Sequence, residues 1–253
     1  MPLGGIAGGL ASRSIWEAGK QGLSAAAHWR FAQVFGPDAT RGALHLVVGA
    51  LVPPQVRDEA GNQLRFIFTK PGHKDKGFST SLAVPGCEVR AAKYLAETVA
   101  VDAGRSSILT ADVEIREKRD LSFVSFGMLS NEKTIQLLEN SANQFVLYDY
   151  SRFISKVSGR TLVTLAEVKT DYGLILKIHP SNLPDKTWIC CGGFGEWGTS
   201  GSAWYLARHW KTIRSKVRRR AFAAIVRVRE GCDESAEPIF IVDTPEEIDR
   251  HTR

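Results

Sequence analysis

Short apolar runs alternate along this chain with longer amphipathic stretches. Residues Leu44 to Val52, Leu121 to Phe126 and Asp171 to Pro180 form apolar runs, as do "TWICC" and "AFAAIVRVRE". Runs of this length predict buried strands. In "CEVRAAKYLAETVA" the apolar positions instead recur at helical spacing, which predicts a helix with one buried face made of Val89, Ala92, Leu95, Ala96 and Val99.

Two strand–loop–helix units follow in the second half. "LSFVSF" leads through "GMLSN" into a helix at "EKTIQLLENSA", with Ser130 or Asn131 as its N-cap. "TWICC" leads through a glycine-rich loop into a helix from Ser202 to Val217. Strands alternating with helices predict an α/β fold, a largely parallel central sheet flanked by helices in a Rossmann-like manner. The segment Gln144 to Pro180 adds an antiparallel edge or hairpin, and "ADVEIRE" alternates like a strand.

The chain divides into an N-terminal helical extension, residues 1–37, and a single α/β domain, residues 38–253. The spacing of Leu10, Ser14, Ala18 and Gly22, three of them small residues, suits one side of a helix that we expect to dock closely on the domain. An arm for oligomerisation or for peripheral membrane contact is the alternative. Charged residues interrupt the extension, so no membrane span is predicted.

The composition of the chain excludes a few kinds of site but does not indicate one function. The 253 residues carry a net charge of +6, which suits an anionic partner without requiring one. Four cysteines form no C-x-x-C pair, so neither zinc nor a disulfide framework is predicted, and a reducing cytoplasmic location is expected. The six histidines have no metal-ligand spacing. No metal and no cofactor are therefore predicted.

Two polar loops are the candidate site. The first runs from Gly127 through Ser130 to Asn131, and the second from Gly192 to Ser202. Ligands bind beyond the carboxyl ends of strands in open sheets, so the loops share one crevice if their strands are neighbours. Because serine and asparagine commonly cap helices, capping alone is the alternative role for the first loop.

The second loop has the residue types of a cradle for a polar ligand. Gly193 and Gly198 allow backbone N–H groups to approach a ligand, and Thr199 and Ser200 offer hydroxyls where the helix dipole favours an anion. The spacing matches neither a Walker loop nor the G-x-G-x-x-G motif, and no lysine follows the glycines.

Acidic side chains add chemistry to this picture. Glu196 in the glycine-rich loop suits a ribose diol, a base edge, an amine, or acid–base catalysis at an anomeric carbon. The alternative interpretation is that Glu196 is an exposed glutamate at the tip of a loop and has no ligand. Asp233, in the polar cluster "GCDESAEP", suits ribose hydroxyls, and its alternative is an exposed acidic turn.

A basic run closes the predicted second helix. Arg208, Lys211, Arg218 and Arg219 fall away from the apolar stripe of that helix, toward solvent. A solvated helix face explains most of this run. Contact with nucleic acid or with a protein is the alternative.

Together these motifs are similar to the nucleotide-sensing Rossmannoid modules of the SLOG type, found in prokaryotic regulatory and conflict systems. The likeness rests on G-x-x-S-N-x-x-T from Gly127, on "DYGLI", and on "GGFGEWGTSGSAWYLA". It implies an antiviral-defence sensor, a homo-oligomer or a partner of another protein, that binds a nucleotide-like ligand. The ligand-contacting residues that it implies are Gly127, Ser130, Asn131, Gly193, Gly198, Thr199 and Ser200.

Three hypotheses therefore stand. The first is a sensor that binds a nucleotide or a nucleotide-derived molecule. The second is an enzyme that cleaves the N-glycosidic bond of NAD or of a nucleoside, with Glu196 as the catalytic carboxylate. The third is a scaffold that assembles through its N-terminal and basic helices.

Overall fold

The computed structural model describes residues 25–51, 56–57, 63–64, 68–70, 73–78, 83–165 and 169–251. Helix α1 covers residues 25–35. The other helices are α2 (Pro37–Thr40), α3 (Gly86–Ala103), α4 (Glu132–Glu139), α5 (Glu196–Val217) and α6 (Pro245–Ile248). The strands are β1 (His45–Val48), β2 (Val56–Arg57), β3 (Gln63–Leu64), β4 (Phe68–Lys70), β5 (His73–Phe78), β6 (Ile108–Ala111), β7 (Phe123–Phe126), β8 (Val146–Asp149), β9 (Arg152–Ser155), β10 (Thr161–Thr164), β11 (Thr170–Ile178), β12 (Trp188–Gly193), β13 (Phe222–Arg229) and β14 (Cys232–Val242).

The central sheet has seven strands in the order β14-β13-β11-β12-β7-β1-β6. Strands β12, β7, β1 and β6 are mutually parallel, whereas β14, β13 and β11 join by antiparallel pairing. The predicted α/β class is confirmed, but the sheet is mixed rather than largely parallel. Short connections explain the difference, because β11–β12 and β13–β14 are joined without a helix, and such links allow only antiparallel pairing.

Alternating side chains of the sheet bury two separate cores. One core holds Phe126, Ile189 and Cys191 against α1, α3 and α5. The other holds Phe123, Trp188 and further sheet residues against α4, α6 and the β8–β9 hairpin. That hairpin belongs to a separate three-stranded antiparallel sheet, β10-β9-β8, which fulfils the expectation of antiparallel structure between Gln144 and Pro180.

The described part of the N-terminal extension packs on the domain. Phe31, Val34 and Phe35 of α1 are fully buried. The Phe31 ring stacks on Phe35 with centroids 4.4 Å apart and meets the edge of Trp210 of α5 at 5.1 Å. The predicted helix through Leu10, Ser14, Ala18 and Gly22 lies outside the described residues.

Two local predictions are wrong. "ADVEIRE" contains the 3-10 helix Asp112–Glu114 instead of a strand, because the Asp112 carboxylate accepts hydrogen bonds from the backbone N–H groups of Ala50 and Glu132. On α3, Val89 is exposed, and the buried face contains Glu88 beside Ala92 and Leu95. Within the described part of the chain, every helix is too short or too polar to cross a bilayer.

Candidate functional site

The two polar loops open at the same edge of the sheet. Strands β7 and β12 are parallel neighbours, with Phe126 opposite Cys191 at their carboxyl ends. Both loops line one cavity of about 210 Å³, which we call the site cavity. Its lining residues are Pro85, Cys87, Glu88, Gly127, Met128, Leu129, Ser130, Tyr148, Gly193, Phe194, Gly195 and Thr199.

The direction of the chain changes within the sheet at this edge. The chain passes from β1 through α3 to β6 on one side, whereas β7 lies on the other side of β1 and leads into α4. Helices α3 and α4 pack in opposite cores. Strands β1 and β7 therefore form a topological switch point, the position at which open α/β sheets bind their ligands. The residues after β7 at this point, Gly127 to Ser130, line the site cavity.

Glu88, in the first turn of α3, provides the buried carboxylate of the site cavity. Its side chain is only 1% exposed. It accepts a 2.5 Å hydrogen bond from the Gly49 backbone N–H and a 2.7 Å hydrogen bond from the Ser130 hydroxyl. Burial raises the pKa of Glu88 to about 7, even though both hydrogen bonds favour the ionised form. Near neutral pH this carboxyl group can therefore either donate or accept a proton.

Gly127 allows the first loop to close on Glu88. Its φ of 79° lies in the left-handed region, which favours glycine. A Cβ at this position would lie 2.3 Å from the Ser130 hydroxyl oxygen and 2.4 Å from a Glu88 carboxylate oxygen. Any side chain here would therefore break the contact between the loop and the carboxylate.

The glycine-rich stretch is mostly helix instead of loop, which corrects the predicted start at Ser202. Helix α5 begins at Glu196, so Gly198, Thr199 and Ser200 lie in its first turns. A Cβ on Gly198 would lie 2.3 Å from the Tyr172 carbonyl oxygen, and one on Gly193 would lie 2.4 Å from the Gly198 carbonyl carbon. These glycines let α5 approach the sheet closely, and Gly193 alone of the two lines the site cavity.

A carboxylate of the protein occupies the anion position at the start of α5. Asp171 accepts hydrogen bonds from the backbone N–H groups of Gly195, at 3.2 Å, and of Gly198, at 2.7 Å. This arrangement caps the helix and compensates its dipole. The predicted anion cradle is therefore filled by Asp171, whose charge opposes a second anion at this point.

The two predicted hydroxyls point to different places. Thr199 lines the site cavity, accepts a hydrogen bond from the Gly193 N–H and donates one to the Gly195 carbonyl, each 3.1 Å long. Ser200 instead contacts the buried Asp233 carboxylate at 2.5 Å, and the Arg90 guanidinium donates to Ser200 at 3.0 Å.

Asp233 is the centre of a hydrogen-bond network that joins structural elements. Besides Ser200, it accepts hydrogen bonds from Arg90 and Tyr94, both at 3.0 Å. The predicted turn around it is the start of β14, and Asp233 is buried rather than exposed. Its contacts tie α3, α5 and β14 together away from the site-cavity lining.

Asn131 acts as the cap that the sequence predicted. It is fully buried, its side-chain oxygen accepts from the Lys133 N–H, and its amide donates to the Val47 carbonyl at 2.8 Å. It holds the first loop on β1, and its neighbour Ser130 is the residue that reaches the cavity.

Glu196 faces a second cavity. This cavity, of about 270 Å³, is lined by Leu165, Lys169, Thr170, Asp171, Phe194, Gly195, Glu196, Trp197 and Glu230. It adjoins the site cavity, because Phe194 and Gly195 line both. Glu196 is exposed and does not share the first cavity with Ser130.

Aromatic rings form one wall between the small β8–β10 sheet and the site. The Phe194 ring stacks on Phe153 with centroids 4.4 Å apart and on Tyr148 at 6.2 Å. Tyr148 and Phe194 both line the site cavity.

Cys87 lies next to Glu88 in the lining of the site cavity. Burial and the Glu88 charge raise the pKa of the Cys87 thiol, which favours its protonated form.

Sequence reasoning missed Glu88 and Asp171. Both partners of the Glu88 carboxylate are distant along the chain, at Gly49 and Ser130, and no local pattern marks their approach.

The predicted solvent-facing basic residues are exposed. These are Arg208, Lys211, Arg218 and Arg219, which the helical pattern placed away from the apolar stripe.

Comparison with models of known protein families and with curated protein sequences finds no match for this chain. Among the described residues, no group of three or more His, Cys, Asp or Glu side chains is arranged to hold a metal ion.

Proposed function

We propose that this chain is a ligand-binding α/β domain whose site cavity receives a nucleoside-like small molecule. One observation carries the proposal: the polar loops after β7 and β12 line a single cavity at the switch point of the sheet, against the buried carboxyl group of Glu88. The parallel half of the sheet supports a Rossmann-like arrangement of this binding edge.

The lining suggests how such a ligand would be held. Glu88 and Ser130 offer hydrogen bonds to a sugar hydroxyl or to an N–H group of a base. The Tyr148 and Phe194 rings offer an apolar wall for a flat ring. The site cavity alone, at about 210 Å³, is small for a whole nucleoside, so the ligand extends over Gly195 into the second cavity.

The electrostatics favour a ligand that does not place a phosphate against α5. Asp171 already occupies the helix N-terminus, and Glu196 and Glu230 add carboxylates to the second cavity. A nucleotide's phosphate would therefore project to solvent, whereas a cationic or neutral group would enter the second cavity.

Thermal unfolding with a panel of nucleosides and their phosphates tests this proposal. Ligands that bind the folded state raise the melting temperature as their concentration increases. We expect a nucleoside to stabilise the wild-type chain and to stabilise Glu88→Ala much less. Glu139→Ala, which replaces an exposed glutamate of α4, is the control that also removes one carboxyl group. No stabilisation by any nucleoside or nucleotide would contradict the proposal.

N-glycosidic cleavage is the second candidate, and it is favoured by the buried carboxyl group of Glu88 in the lining of the site cavity, where burial raises its pKa to about 7. A carboxyl group with such a pKa suits general acid catalysis at neutral pH. Chromatography of nucleosides or NAD after incubation tests it. Loss of turnover in Glu88→Gln but not in Glu196→Gln would assign the acid to Glu88, whereas the reverse would favour the originally predicted Glu196.

A sensor role in a regulatory or antiviral-defence system, with binding coupled to self-assembly or to a partner protein, belongs to the same proposal. Measurement of oligomer mass with and without a stabilising nucleoside tests that coupling. An unchanged mass would limit the proposal to ligand binding.

A further inference from the structure

A basic groove lies at the far end of α5 from the site cavity. Helix α5 starts at Glu196 beside the site and ends at Val217, a length of about 33 Å for its 22 residues. The groove, of about 1060 Å³, is lined by Trp29, Gln33, Arg214, Arg218, Arg219 and Arg220.

Most of the charge in this groove is unpaired. Arg220 pairs with Asp243, and Arg214 donates a hydrogen bond to the Gln33 side-chain oxygen. Within the described ranges, no carboxylate forms an ion pair with Arg214, Arg218 or Arg219. Like charges this close repel one another, so a polyanion would relieve a repulsion that the protein itself leaves uncompensated.

The fold holds the arginines in place. The Arg219 carbonyl accepts a hydrogen bond from the buried Lys177 ammonium at 3.2 Å and lies 2.9 Å from His179 Nε2. Arg218 has φ 51° and ψ −120°, a backbone conformation that favours glycine although the residue is arginine. Lys177 and His179 therefore hold the turn that contains Arg218 and Arg219 in one conformation. A fixed turn of this kind is typical of a binding surface and not of a frayed helix end.

An exposed tryptophan lies beside two of these cations. Trp29 is 51% exposed. The guanidinium carbons of Arg214 and Arg219 each lie 5.9 Å from the centroid of its ring. An exposed aromatic ring beside arginines is a combination with which proteins bind single-stranded nucleic acid, since a base stacks on the ring and the phosphates contact the cations.

We propose that this groove binds single-stranded RNA or DNA, with a base on Trp29 and the backbone phosphates on Arg214, Arg218 and Arg219. A duplex fits this arrangement less well, because its bases are already stacked inside the helix. An acidic peptide would use the arginines but would gain nothing comparable from the indole. The groove is distinct from the site cavity, so the proposal does not depend on the proposed function.

Fluorescence anisotropy with labelled twelve-nucleotide oligouridine and oligothymidine tests the proposal. We expect binding by at least one of them, weakened about tenfold by Trp29→Ala and largely restored by Trp29→Phe. Each phosphate contact contributes about −0.7 to the slope of log affinity against log salt for a single strand. Arg218→Gln with Arg219→Gln should therefore reduce the magnitude of that slope by about 1.4.

The matched control replaces Arg208 and Arg229, two exposed arginines outside the groove, by glutamine. It removes the same net charge and should change the salt slope little. Equal losses in the groove variant and the control would overturn the assignment to the groove. Binding of a duplex or of poly-glutamate as tight as that of the oligonucleotides, or binding of neither oligonucleotide, would overturn the proposal itself.

Discussion

The Asp171 carboxylate accepts a 2.7 Å hydrogen bond from the backbone N–H of Gly198, in the first turn of α5. A second bond, from the Gly195 N–H, completes the cap. The sequence motif that resembles an anion cradle thus already contains an anion, supplied by β11. The polar group that faces the site cavity is therefore the buried Glu88 carboxyl, rather than a free helix N-terminus.

Replacing Asp171 by alanine should expose that anion position. Loss of the cap should cost about 0.5–2 kcal/mol of unfolding free energy. The freed N–H groups should then make the variant respond to phosphate, which will raise its melting temperature more than that of the wild type. Asp171→Asn keeps an acceptor oxygen and should lie between the two. Identical phosphate responses in all three proteins would show that Asp171 does not fill an anion site.

Gly198→Ala should be strongly destabilising, because its Cβ would lie 2.3 Å from the backbone oxygen of Tyr172. Overpacking of this kind costs about 1–3 kcal/mol or more. Gly86→Ala is the matched control, since among the described residues no atom outside its own helix turn and chain neighbours lies within 4 Å of the Cβ it would add. We expect the control to be neutral or stabilising by up to about 1 kcal/mol. Urea unfolding compares the two, and equal effects would contradict the close approach of α5 to β11.

The buried Glu88 should make stability depend on pH. Its pKa rises from 4.5 to about 7 in the folded protein, so the folded state binds this proton more tightly than the unfolded chain does. The stability linked to that proton is complete below pH 4.5 and is lost as the pH rises through 7. The loss amounts to as much as about 3 kcal/mol.

Glu88→Gln should remove this dependence, because a neutral amide can keep contacts with Gly49 and Ser130. Unfolding free energies of both proteins between pH 4.5 and 8 give the difference curve. The variant should gain stability relative to the wild type as the pH rises. Parallel curves would mean that Glu88 titrates normally.

Asp233 should matter far more to stability than an exposed ion pair. It is 3% exposed and accepts hydrogen bonds from Arg90, Tyr94 and Ser200. Asp233→Ala leaves these donors without their acceptor and should cost about 3 kcal/mol. Lys211→Ala, which breaks an exposed pair with Asp102, should cost less than about 0.5 kcal/mol. Similar costs in chemical denaturation would contradict the structural role assigned to Asp233.

The elements that leave a pattern within a few consecutive residues were predicted correctly from the sequence. The run at Phe123–Phe126 and the cap at Asn131 are where the sequence analysis expected them, because burial and capping leave marks within a few residues. The start of α5 was missed, since Gly198, Thr199, Ser200 and Gly201 are weak helix formers. Packing of these small residues against β11 overrides that preference.

The chemistry of the site could be predicted only in part. Adjacent strands bring Ser130 and Thr199 to one cavity, as the strand–loop–helix pattern indicated. Glu88 resembled any solvent-facing glutamate of an amphipathic helix, because its burial arises from contacts with Gly49 and Ser130, 39 and 42 residues away. The separation of Glu196 from that cavity likewise depends on where α5 begins.

Alkylation of Cys87 reports whether a ligand occupies the site cavity, because Cys87 belongs to the cavity lining beside Glu88. Cys190 and Cys191 are buried, so Cys232→Ser leaves Cys87 as the accessible thiol among the four. In that background, the rate of Cys87 alkylation should fall about tenfold when a nucleoside that raises the melting temperature is present at ten times its Kd. A nucleoside that stabilises the protein while leaving the Cys87 alkylation rate unchanged would show that the ligand binds elsewhere.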